Sequence, residues 1–187
     1  MRRPQPLPDT AAPFRPFDTH LDRDAALGRL RAALAGAEDG ELFLERARSE
    51  SLVLDDRRLR QAGYDASEGF GLRAVRGSAT GYAHASEITP AALERAAATV
   101  RLAVGAGGGV AAAGPGPAGA PLYGAEDPAL GLSLAARIEA LRGIDDFLRA
   151  ADPRVVQVTA ALGTGLQEVA ILRADGTLVT DVRPMAR

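Results

Sequence analysis

The chain contains no cysteine, no tryptophan, no lysine and no asparagine. Without cysteine it can form neither a disulfide framework nor a thiolate metal site. Aromatic residues make up only 4% of it, so the core must be built from Ala, Val, Leu and Ile. No apolar run reaches the roughly 18 residues of a membrane-crossing helix. The N-terminal "MRRPQPLPDTAAPF" is basic but lacks the apolar stretch of a secretory signal. A cytoplasmic location, with no membrane partner, is the default expectation. All 22 basic residues are arginine, against 24 acidic residues. The resulting net charge of −2 speaks against a nucleic-acid binder that works by neutralising phosphates. A GC-rich coding sequence explains both the arginine bias and the abundance of alanine, so neither is read as functional.

What is present suits one soluble globular domain with appendages. Residues 1–18 hold five prolines and little periodicity, which predicts an arm. Residues 19–187 are expected to form the domain. From Asp22, a plausible N-cap, Leu27, Leu30, Leu34 and Ala37 share a helical stripe, with Gly40 placed just past its end. Residues 41–87 read as five short strands, "ELFLERAR", "ESLVLDD", "RLRQAGY", "FGLRAVRG" and "ATGYAHAS", joined as an antiparallel meander. Thr89 and Pro90 then open a second helix, with Ile88 and Leu93 placed as a hydrophobic staple. Residues 105–121 are a Gly/Ala/Pro connector by composition. No GK[ST] follows it, and it trails a helix, so a phosphate loop is rejected. A third helix over residues 133–151 is expected to turn Leu134, Ile138, Leu141, Ile144, Leu148 and Ala151 inward. Three more strands follow, with Ala174-Asp175-Gly176-Thr177 as a hairpin turn. The fold class is therefore α+β, a mainly antiparallel sheet with helices packed on it.

Candidate chemistry is sparse. His20 and His84 lack an HExxH-like companion and are read as packed or solvent-facing. Asp55-Asp56 fits a turn and Asp145-Asp146 the wet face of a helix. Ser49, Ser51, Ser67 and Ser78 lie in no nucleophile elbow. The basic run Arg57–Arg60 reads as a protected sheet edge. The stretch "EGFGLRAV" is the exception, because glycines within a strand mark a bulge or the close approach of another backbone. Gly69, Gly71 and Arg73 are thus either part of a bulge packed under the second helix or a strand alongside an extended peptide. Both readings stay open.

The run from Arg48 to Thr89 resembles the TldD/PmbA family, the gyrase modulators now regarded as metallopeptidases. The resemblance is carried by Arg48–Ser51, Asp55-Asp56, Gly63, the Gly69-Phe70-Gly71-Leu72-Arg73 segment and Gly77–Ala83. It is carried again by "ADPRVVQVTAAL" and by "ILRADGTLVTDVRP", and it is closer to TldD than to PmbA. The resemblance implies a zinc peptidase whose HExxxH helix and cysteine ligand lie in a C-terminal half, and none of those residues occurs here. It therefore implies an N-terminal portion without the catalytic domain, carrying no catalytic or metal residue and no cofactor of its own. That portion would help enclose a peptide cleft and would meet a PmbA/TldD-like partner subunit or a second copy. A stand-alone binding module and a PmbA-like scaffold subunit are the alternatives.

Overall fold

The computed structural model describes residues 12–105, 124–128 and 131–187. The expected connector at 105–121 falls outside the described residues apart from Gly105, as do residues 1–11 of the expected arm. In chain order the elements are α1 (Pro16–Thr19), α2 (Arg23–Ala33), β1 (Asp39–Asp55), β2 (Arg58–Arg76) and β3 (Ala79–Ala85), followed by α3 (Pro90–Val104), α4 (Leu134–Ala151), β4 (Thr159–Arg173) and β5 (Leu178–Ala186). The strands form one antiparallel sheet in the order β3-β2-β1-β4-β5, with helices packed on it. The α+β class holds.

Eight expected strands become five longer ones. "ELFLERAR" and "ESLVLDD" are a single strand, because the polar residues between them keep the alternation of a strand instead of turning the chain. Leu42, Leu44, Leu52 and Leu54 are buried, and the interposed Arg46, Arg48 and Glu50 lie at the same parity. Each of the three has an ion-pair partner: Glu168, Asp127 and Arg137 respectively. "RLRQAGY" and "FGLRAVRG" likewise merge into β2, and "RVVQVTAAL" largely joins "LQEVAILRA" in β4. The breaks that do occur have positive φ. Asp56 (46°) and Arg57 (64°) turn β1 into β2, Gly77 (59°) turns β2 into β3, and Gly176 (94°) turns β4 into β5. Two consecutive positive φ angles give the twist that a tight hairpin needs.

β1, β2, β4 and β5 each contribute residues to two compact units. The first comprises residues up to Arg46, Ser67–Pro121 and Glu168–Asp181. Its core joins Leu30 and Leu34 to Leu42, Leu44, Phe70, Leu72, Leu93, Val100 and Leu172. α2 is capped by Asp22, whose carboxylate accepts from the Ala25 N–H at 2.7 Å. It ends at Ala33, and Gly36 (φ 79°), not Gly40, follows the stop; Gly40 is buried in β1. α3 begins as expected, with the Thr89 hydroxyl accepting from the Ala92 N–H at 3.1 Å. Residues 12–19 are fastened to this unit. Pro16 is buried, and Phe14 and Phe17 pack on the core.

The second unit comprises Ala47–Ala66, Leu122–Gln167 and Val182–Arg187. Its core is small: Leu52, Leu54, Leu141 and Ala160, with Ile138 and Leu162 packed on them. α4 departs from expectation here. Its buried positions are Arg137, Leu141 and Asp145, whereas Leu134, Ile144, Leu148 and Ala151 are exposed. The reason is electrostatic. Asp145 Oδ1 accepts from Arg149 Nε at 2.6 Å and lies 3.4 Å from Arg57 Nε, while Arg137 pairs with Glu50. These charged partners, together with Leu141 and Ile138 on the small core, set which face of the helix is turned inward.

Candidate functional site

In the first unit, one face of β2 and β3 packs under the helices and the other faces solvent. Phe70, Leu72 and Ala74 belong to the core, so Gly69, Gly71 and Arg73 lie on the opposite face. The register pairs Gly71 with His84 and Arg73 with Tyr82. The solvent face thus brings Gly71, Arg73, Tyr82 and His84 together. The rings of Tyr82 and His84 stack with centroids 5.8 Å apart, and Tyr82 remains 60% exposed. Arg73 spans Asp39 and Glu41 of β1, at 3.1 and 3.5 Å. Tyr82 was not legible as a site residue, because the register that sets it beside Arg73 is a property of pairing.

The two glycines serve close approach. A Cβ on Gly71 would meet the Tyr82 hydroxyl at 2.7 Å, and one on Gly69 would meet the Ala85 carbonyl oxygen at 2.6 Å. From Phe70 to Arg76, β2 pairs with β3 on one side and has β1 as its neighbour on the other. Gly71 itself is buried beneath the Tyr82 side chain, so a ligand would meet Arg73, Tyr82 and His84 from the solvent face and would find no free backbone edge here.

The remaining candidates are dispersed. His20 Nε2 lies 3.4 Å from Glu68 Oε1. Asp55 accepts from Gln157 and from the Thr159 hydroxyl, each at 3.0 Å, and these bonds hold its carboxyl below the usual range. The bond from Arg149 does the same for Asp145, and Arg149 in turn pairs with Asp56. Ser49 and Ser51 lie on β1, Ser67 on β2 and Ser78 in the β2–β3 turn. Among the described residues no group of three or more His, Cys, Asp or Glu side chains could hold a metal. In the second unit a shallow depression with a cavity volume of about 10 Å³ is lined by Arg48, Glu50, Asp127 and Thr164, among others. It has room for about one water, too little for a peptide segment. No helix among the described residues is long and apolar enough to cross a membrane.

Two family models match the chain in order: PmbA/TldA metallopeptidase domain 1 over residues 40–106, and the PmbA/TldA metallopeptidase central domain over residues 127–187. The metalloprotease TldD homolog of Haemophilus influenzae is 34% identical over 157 residues, covering 79% of this chain and 31% of its own length. That of Buchnera aphidicola from Acyrthosiphon pisum is 26% identical, covering 87% and 34%. The chain thus spans about a third of the curated relatives it matches. Its fold is that of a protein described as a modulator of DNA gyrase from Bacteroides thetaiotaomicron. The TM-score is 0.68 at 16% identity, over 88% of this chain and 39% of the other. TldE from Thermococcus kodakarensis gives 0.64 at 15% identity, over 87% and 37%. With both family models matched in order and curated TldD homologs among its relatives, the chain belongs to the PmbA/TldD metallopeptidase family.

Proposed function

We propose that this chain is the N-terminal part of a TldD-like zinc metallopeptidase acting on unfolded or extended peptides. In this reading it helps form the peptide cleft and an interface with a partner subunit. The order of the two family matches carries the reading: domain 1 is followed by the central domain. The peptide assignment draws on the solvent face of the first unit, where the β2–β3 register brings Arg73, Tyr82 and His84 together over Gly71. An extended backbone laid on that face would meet donors and a stacked aromatic pair. Gly69, Gly71 and Arg73 remain the residues proposed to lie beside it. Hydrolysis would need metal chemistry supplied by residues outside those described. The second reading, a PmbA-like scaffold without chemistry, draws on the lack of cysteine and of a paired-histidine motif.

Purified chain should hold no stoichiometric zinc and hydrolyse no peptide. Zinc bound one per chain, and lost on substituting His20 and His84, would overturn that. Reading the DNA downstream of Arg187 separates the two proposals. An in-frame HExxxH region supports the peptidase, and a stop codon supports the scaffold.

A further inference from the structure

Residues 12–14 lie against the sheet as a ligand lies in a site. Arg46 on β1 and Glu168 on β4 face the side that carries the core, in line with Leu42 and Leu44 and with Ala170 and Leu172. Arg46 donates to Glu168 Oε2 through Nε at 3.0 Å and through Nη2 at 2.8 Å. The pair also takes two main-chain groups of the segment above it. Arg46 Nη2 donates to the Ala12 carbonyl, and Glu168 Oε1 accepts from the Phe14 N–H at 2.9 Å. These two groups lie on one side of an extended chain, and Pro13 between them has no N–H to satisfy. The Phe14 ring centroid lies 5.4 Å from the guanidinium carbon, a cation–π contact.

Exposure is divided unequally across this contact. Arg46 and Glu168 are 7% and 8% exposed, whereas Ala12 and Pro13 are exposed and Phe14 is half-buried. A built receptor thus lies beneath a superficial strap. Packing alone does not account for the receptor's chemistry. A buried ion pair gives little net stability over apolar residues of similar size, and apolar residues occupy the neighbouring core positions on both strands. What the pair adds is recognition of one carbonyl and one N–H on an extended backbone.

We infer that Arg46 and Glu168 form a peptide-binding site, filled in this structure by the chain's own residues 12–14 acting as a detachable strap. Its ligand is an uncharged extended segment of small residue, proline and aromatic residue in that order. The ion pair holds the backbone, and the ring covers the guanidinium. Lifting the strap opens the site to a second segment of that chemistry, so occupancy by one excludes the other. Ala12, Phe14, Arg46 and Glu168 all belong to the first unit, and the inference does not depend on the peptidase reading.

Binding of the peptide TAAPF, residues 10–14 with blocked ends, to the whole chain tests it, with the Arg46 Nε–H resonance as reporter. In the wild-type chain the strap competes, and apparent affinity falls with the fraction of open sites. Phe14→Pro removes both the N–H and the ring from the strap. This variant should keep its circular dichroism spectrum and bind the peptide at least about tenfold more tightly than wild type. Phe14→Ala removes the ring alone; it should bind to an intermediate degree, and it replaces Phe14→Pro if that variant does not fold. A peptide N-methylated at its phenylalanine, and one with alanine there, should each bind about tenfold more weakly. A folded variant whose Arg46 resonance the peptide does not shift would overturn the proposal. So would equal binding by wild type and variants, or equal binding of all three peptides.

Discussion

Arg46 and Glu168 meet at 2.8 Å with both side chains buried, and the same two residues fasten the chain around Phe14. Glu168 Oε1 accepts from the Phe14 N–H at 2.9 Å, while Arg46 donates to the Ala12 carbonyl and lies 5.4 Å from the Phe14 ring centroid. Removing one partner of such a pair leaves the other charge buried and uncompensated. Glu168→Ala is therefore expected to cost about 3–5 kcal/mol in urea unfolding and to expose residues 12–14 to proteolysis. Glu168→Gln, which can still accept from Phe14, should cost less. Equal losses for the two variants would show that the Phe14 bond contributes nothing.

The paired glycines give a contrast. At Gly71 the obstacle to a side chain is the end of the exposed Tyr82 side chain; at Gly69 it is the Ala85 backbone. Gly71→Ala should cost below about 1 kcal/mol, and Gly69→Ala about 1–3 kcal/mol, since backbone must shift. Chemical denaturation of the two variants checks this. The reverse order would contradict the packing described for β2 and β3.

That contrast also marks what was legible in the sequence. "EGFGLRAV" announced a close approach, and β3 turns out to make it within the fold. The helix caps at Asp22 and Thr89 were local signals and held, as did the hairpin turn at Ala174–Thr177, where the Asp175 carboxylate accepts from the Thr177 N–H at 2.7 Å. Strand lengths were not legible. Ser49, Gly63 and Ser67 resemble breakers in isolation, and only pairing with a neighbouring strand keeps the chain extended through them. The exposed stripe of α4 was missed for a related reason. Periodicity identifies an apolar face, but it does not say that Arg137 and Asp145 have partners able to pull the helix round.

The carboxylates of the second unit set an acid limit. Hydrogen bonds from Gln157 and Thr159 to Asp55, and from Arg149 to Asp145, hold both groups below the ordinary aspartate range when folded. A group depressed on folding contributes its full stabilisation above its unfolded value, about 4, and loses it as the pH falls through the folded value. The melting temperature should fall as the pH drops below about 4, and Asp145→Asn should make that fall shallower. An unchanged slope would remove Asp145 from the account.

The central claim is that this chain does the work of the first third of a TldD-like peptidase. A chimera tests it most directly. Residues 12–187 would replace the matching segment of the Haemophilus influenzae TldD homolog, leaving the rest of that protein in place. With whatever partner subunit that homolog requires supplied, the chimera should hydrolyse unfolded peptides and lose most of that activity on Arg73→Glu. A chimera that folds and holds zinc yet hydrolyses nothing, under conditions where the parent protein is active, would contradict the account.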